Sequence, residues 1–157
     1  MLYRTHLLFS ILVFLLLRYF TGIKAGLLFF VLLVSSSFIP DLDHPNSKIG
    51  QKFKILSKTL NKIFKHRGFL HSIILPFLIY FIFAYIFELK EVGFAVAAGI
   101  ISHLFLDLLT KDGLSLLSPF SDKKIKGFIS VGKISEKIFF IFLLILFIIF
   151  LIKISGL

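Results

Sequence analysis

Eight side chains in this chain have the types and spacing of metal ligands: His6, Asp41, Asp43, His44, His66, His71, His103 and Asp107. Imidazole nitrogen and carboxylate oxygen suit zinc, manganese and iron, and the absence of cysteine removes thiolate from the choice. The residues fall into four clusters. In Pro40-Asp41-Leu42-Asp43-His44-Pro45 the two prolines break a helix and fix an irregular turn, which holds two carboxylates and an imidazole close together. In His66-Arg67-Gly68-Phe69-Leu70-His71-Ser72 the glycine permits a turn between two histidines, and Arg67 offers a planar fork for a phosphate or carboxylate oxygen. In Ser102-His103-Leu104-Phe105-Leu106-Asp107 a spacing of four puts His103 and Asp107 on one face of a helix. His6 stands alone ahead of the first apolar run. Each cluster by itself has a plainer reading, as a polar loop, as interfacial histidines or as a metal-free pair of His103 and Asp107.

The elements that carry the clusters change that reading. Hydrophobic residues make up 58% of the 157 positions, mean hydropathy is +1.01 and charged residues are only 17%, which is the composition of an integral membrane protein. Apolar runs predict spans over about 7–20, 25–39, 69–87, 92–109 and 138–154, the first two short enough to form a shallow hairpin instead. No small-residue cleavage site follows the first run, so it is expected to stay as a helix and not to act as a signal peptide. Between the second and third runs Ile49, Phe53, Leu56, Leu60, Ile63 and Phe64 recur every three or four residues with lysines between them, predicting a basic amphipathic helix over about 49–65. The expected fold is therefore an all-α membrane bundle of about five transmembrane helices plus one interfacial helix, in a single domain over 1–157.

If each run crosses once, all eight candidate ligands emerge on one side, and so do fourteen of the eighteen basic residues. Positive charge resists translocation, so that side is expected to be cytoplasmic, with the N-terminus inside and the C-terminus outside. The basic helix is expected to lie in the interface and attract anionic lipid headgroups. A net charge of +10 without any recognition motif does not predict nucleic-acid binding.

Thr5-His6, the 40–45 motif, the 66–72 motif and Ser102 to Gly113 together resemble, over nearly the whole chain, the predicted membrane-bound metal-dependent hydrolases typified by the YdjM-type inner-membrane proteins. One departure is Leu70, where similar proteins often carry threonine. The resemblance implies metal-dependent hydrolysis in the membrane and that the four motifs belong to one site; it does not supply a substrate. The expected principal ligands are His44, His66, His71 and His103, with Asp41, Asp43 and Asp107 as ligand, bridge or base and His6 completing the set. Asp41, Asp107 and Arg67 are the expected catalytic groups, Arg67 by holding a substrate oxygen. Eight ligands exceed what one ion needs, so two divalent ions are expected, zinc first and manganese or iron as alternatives. The expected reaction is hydrolysis of an ester or phosphoester in a lipid or lipid-linked substrate. Its rivals are a metal-binding ion or proton transporter, with ligands at the bilayer midplane, and a membrane protein whose metal is purely structural.

Overall fold

A central helix organises the computed structural model, which describes residues 1–22, 26–64 and 68–155. In chain order the helices are α1 (Tyr3–Thr21), α2 (Leu27–Ser36), α3 (Lys48–Lys52), α4 (Lys54–Phe64), α5 (Ile74–Phe81, continuing as a wider π turn over Ile82–Ile86), α6 (Lys90–Leu108) and α7 (Ile134–Ser155). Short 3-10 turns occupy Pro40–Asp43 and Phe69–His71. Among the described residues the architecture is all-helical, with only two isolated backbone bridges in the 110–129 segment.

Helix α6 is the core of the bundle: 61% of its apolar window is buried, against 28% for α1 and 11% for α7. Its run of small residues, Gly93, Ala95, Ala97 and Gly99, allows backbones to approach closely where lipid supplies no hydrophobic drive for helix association. At Gly99 a Cβ would collide with the Leu33 carbonyl and the Ser36 hydroxyl of α2. Helix α7, with Ile138, Ile141, Ile145 and Ile149 exposed, has the outward face of a lipid-contacting span.

The five apolar runs thus become five apolar helices of unequal length. Three of them, α1, α6 and α7, are long and apolar enough to cross a membrane. Helix α1 occupies 19 residues, longer than its apolar run, because Tyr3 to His6 already belong to the first turn. Helix α2 has only ten residues, about 15 Å, and stops at Ser36. There the hydroxyls of Ser35, Ser36 and Ser37 bond back to carbonyls of their own helix, and Pro40 follows without an N–H. Helix α5 starts at Ile74 and not at Phe69, because the chain first makes the 69–71 turn that sets His71. The expected amphipathic helix is divided at Phe53 into α3 and α4; Leu60 and Phe64 pack on the core while Ile55 and Ile63 remain exposed.

Candidate metal centre

Four segments distant in sequence meet at one end of the bundle: the first turns of α1, the 40–44 turn, the 69–71 turn and the last turns of α6. Specific hydrogen bonds and close contacts fix three of them. Helix α1 has no side-chain cap of its own, and Glu136 at the start of α7 supplies one. Its Oε1 accepts from the Leu2 amide at 2.6 Å and the Thr5 hydroxyl at 3.1 Å, and its Oε2 accepts from the Gly132 amide at 2.6 Å. A buried carboxylate at a helix N-terminus satisfies orphan amides and complements the helix dipole. The 40–44 turn is tied down by Ser47, whose hydroxyl donates to the Asp41 carbonyl at 2.8 Å and accepts from the Gly50 amide at 2.8 Å. Gly50 packs so tightly on the His44 carbonyl that no Cβ fits. At the end of α6 the Thr110 hydroxyl bonds the Asp107 carbonyl, and Gly127 lies directly against the Leu109 backbone, where a side chain would not fit.

The side chains that these segments deliver surround the Asp107 carboxylate. His6 Nε2 stands 3.5 Å from Oδ1, while His103 Nε2 and His71 Nε2 stand 3.5 Å and 3.8 Å from Oδ2. The His6 and His103 rings stack at 4.0 Å and 11°, and the His71 ring meets His103 edge-on at 5.4 Å. Asp41 Oδ1 lies 4.0 Å from His103 Nε2. His6, His71, His103 and Asp107 are all buried, and Asp41 keeps 23% of its side chain exposed. The Met1 amine also donates to Asp107 Oδ1, at 2.8 Å.

Asp43 has a different position. It is fully buried on the far side of His71, with Oδ2 3.1 Å from Nδ1. Burial holds the His71 imidazole, which sits in the turn ahead of α5, below the ordinary histidine value of 6.5, and Asp43 opposes that shift only in part. A neutral ring that donates an Nδ1–H hydrogen bond to Asp43 turns the Nε2 lone pair toward Asp107, the arrangement by which an outer carboxylate orients a metal-ligating histidine.

The donor set fits a divalent ion. His6, His103 and Asp107 form one group, and Asp41, His71 and His103 a second, with ligand atoms all within 4.8 Å of one another in each. Two ligands of one tetrahedral ion, each about 2.1 Å from it, stand about 3.4 Å apart, close to the 3.5 Å and 3.8 Å separations here and too long for hydrogen bonds. Both ring nitrogens of His103 and Nδ1 of His6 are buried with no hydrogen-bond partner among the described residues. Buried nitrogens are rarely left so, and a cation is one partner that explains them.

His44 joins Met1, Asp41, Asp107, Asp112 and Lys124 around a polar cleft of about 570 Å³ at the mouth of the cluster. His66 and Arg67 lie outside the described residues. Sequence reasoning had not singled out Glu136, Asp112 or Lys124. Asp112 follows the His103 motif closely, whereas Glu136 is marked out by its bonds to Leu2 and Thr5, more than 130 residues away.

With the cluster defined, its relatives become informative. The chain matches the YdjM inner membrane protein family over residues 1–156. It belongs to that family. It is 36% identical over 103 residues to "Uncharacterized protein YvsG" of Bacillus subtilis (strain 168), covering 65% of this chain and 64% of the relative. It is 34% identical over 93 residues to "Inner membrane protein YdjM" of Escherichia coli (strain K12), covering 55% of this chain and 46% of the relative. The match to the Shigella flexneri protein of the same description has the same extent. The chain thus spans about two thirds of the first relative's length and about half of the others'. No solved structure matches it. Family membership and the apolar helices together make this a membrane protein, with a histidine and aspartate cluster able to hold metal at one end of its bundle.

Proposed function

We propose that this family member is a metal-dependent hydrolase acting at the membrane surface on an ester or phosphoester bond of a lipid or lipid-linked substrate. The observation that carries the proposal is the convergence of three buried imidazoles on one carboxylate at the floor of a polar cleft. A structural site is closed by its ligands, whereas a catalytic one keeps a position open, and partly exposed Asp41 and the cleft provide that access. His6, Asp41, His71, His103 and Asp107 are the residues that would hold the metal. Zinc suits this mixture first, and manganese or iron would also be accepted. When bound, such an ion would supply a water pKa of about 7 and polarisation of the oxygen under attack. Asp41, at the border of cluster and cleft, is placed to accept a proton from water, and Asp43 acts through His71 and touches no substrate. Arg67 retains the role that its motif implies, as an anchor for a substrate oxygen. The side that carries the cluster also carries most of the lysines, so the cleft opens to the cytoplasm on this reading.

A transporter would need polar groups continuing along the bundle. Below the cluster α6 instead presents buried Ile100, Val96 and Ala95 and α1 presents Leu12 and Phe14, and the buried hydroxyls of Ser10 and Ser102 bond carbonyls of their own helices, which favours a site reached from one face.

The test is metal content by mass spectrometry of detergent-purified protein, followed by hydrolysis of carboxylic-ester and phosphoester lipids. Wild type is expected to carry about two equivalents and to cleave one lipid class, and His103→Ala, which removes an imidazole shared by both ligand groups, to lose both metal and turnover. Metal without hydrolysis of any lipid class, together with a melting temperature that falls on chelation, would assign the ion a structural role.

A further inference from the structure

A second cavity, of about 420 Å³, opens beside the cluster between α1 and α3. Its walls are apolar, formed by Leu7, Phe38, Ile49 and the ring of Tyr3, and Lys48 and Lys52 stand on it one helical turn apart. Lys48 Nζ sits 3.5 Å above the centre of the Tyr3 ring, so its charge is held over the groove. Among the described residues the groove and the polar cleft share one lining residue, Asp41, which also belongs to a group able to hold metal. An apolar pocket and a polar one that meet at the reactive groups suit a molecule with a hydrocarbon half and a polar half joined at the meeting point.

We propose that the groove between α1 and α3 binds the hydrocarbon chain of a phosphate-bearing lipid, with Lys48 and Lys52 taking phosphate oxygens beside Asp41 and the polar remainder of the headgroup lying in the cleft toward Lys124. The orientation rests on the hydrolase reading; the binding does not. Phosphate is favoured over a carboxylate because it presents more oxygens than two, enough for both lysines and the cluster at once. The apolar wall favours a lipid over a free phosphate, since nothing in inorganic phosphate would cover Leu7, Phe38 and Ile49. The volume falls within the range of pre-formed ligand pockets, about 300–1,000 Å³.

Native mass spectrometry of the full chain in detergent reads this without turnover. The ligands are palmitoyl lysophosphatidic acid, the monoacylglycerol of the same chain and inorganic phosphate. Lysophosphatidic acid is expected to bind at least about tenfold more tightly than either of the others, the worth of one charged hydrogen bond. Lys48→Gln with Lys52→Gln should erase its advantage over the monoacylglycerol, while the same pair of changes at Lys54 and Lys62 on α4 should keep it. Ile49→Trp, which fills the groove and leaves the lysines, should weaken both lipids and make a long chain no better than a short one. Equal binding of lysophosphatidic acid and monoacylglycerol, an unchanged preference in the Lys48/Lys52 variant, or inorganic phosphate as tight as the lipid would each overturn the proposal. The hydrolase reading fails separately. Tight, lysine-dependent binding with no cleavage by metal-loaded protein would leave the groove and remove the reaction, and cleavage indifferent to Lys48 and Lys52 would do the reverse.

Discussion

At the scale of residues, the cluster divides into groups that would face a bound ion and groups that hold those in place. Asp43 is the clearest of the second kind, because its carboxylate meets the His71 nitrogen directed away from Asp107. Asp43→Asn keeps the shape but no longer gives the Nδ1 proton a charged acceptor. Metal affinity is expected to fall about 10- to 100-fold, the usual cost of removing such an outer partner. A competition titration against a chelator measures this, and unchanged affinity would mean that His71 needs no orientation. The division was only half legible in the sequence. Asp41 and Asp43 flank one leucine in a proline-bounded turn and look equivalent as letters, yet the 3-10 geometry turns one toward the cleft and buries the other entirely.

At the scale of elements, two contacts set where the ligands stand. Glu136 fastens α7 and the Gly132 turn to the first turn of α1, one residue from His6 at Thr5. Glu136→Ala takes the acceptor from the buried Thr5 hydroxyl and from the partly buried Leu2 amide and is expected to cost about 1–3 kcal/mol. It should also loosen metal binding, because His6 loses its fixed helix start. A lowered melting temperature with unaltered metal content would confine Glu136 to stability. Gly99 sets the spacing of α2 against α6, and Gly99→Val puts branched methyls where Leu33 and Ser36 already lie. Overpacking of that kind costs about 1–3 kcal/mol, and a thermal melt in detergent should show the loss. The helical periodicity of α4 and the apolar run of α6 announced both elements from sequence. The ends were less legible: α2 stops where three consecutive serines turn their hydroxyls onto their own backbone, and α5 begins late because the 69–71 turn precedes it.

At the scale of the whole molecule, one end of the bundle collects the ligands, the cleft, the groove and most of the lysines, while the other end carries, among the described residues, a few exposed charges such as Arg18, Lys90, Glu91 and Lys153. The chain has no cysteine, so single cysteines report sidedness directly. With a membrane-impermeant maleimide on intact spheroplasts, Lys90→Cys at the start of α6 is expected to label, and Lys58→Cys and Lys124→Cys only after lysis. Labelling of Lys58→Cys in intact cells would put the cluster on the outer face and reverse the proposed orientation.

What the sequence by itself determined was the membrane environment, the helical class and the ligand chemistry. These follow from composition and short-range periodicity, which act on each segment before it meets another. Four motifs spaced over a hundred residues also implied one face, because counting apolar runs needs no knowledge of packing. Only the tertiary structure decided the rest. Which carboxylate orients and which opens to the cleft, that Glu136 starts α1, and that a groove and a cleft meet at Asp41 all depend on the angles and distances at which α1, α3, α6 and α7 pack. Those are settled by long-range contacts such as Gly99 on Leu33, and no local run of residues encodes them.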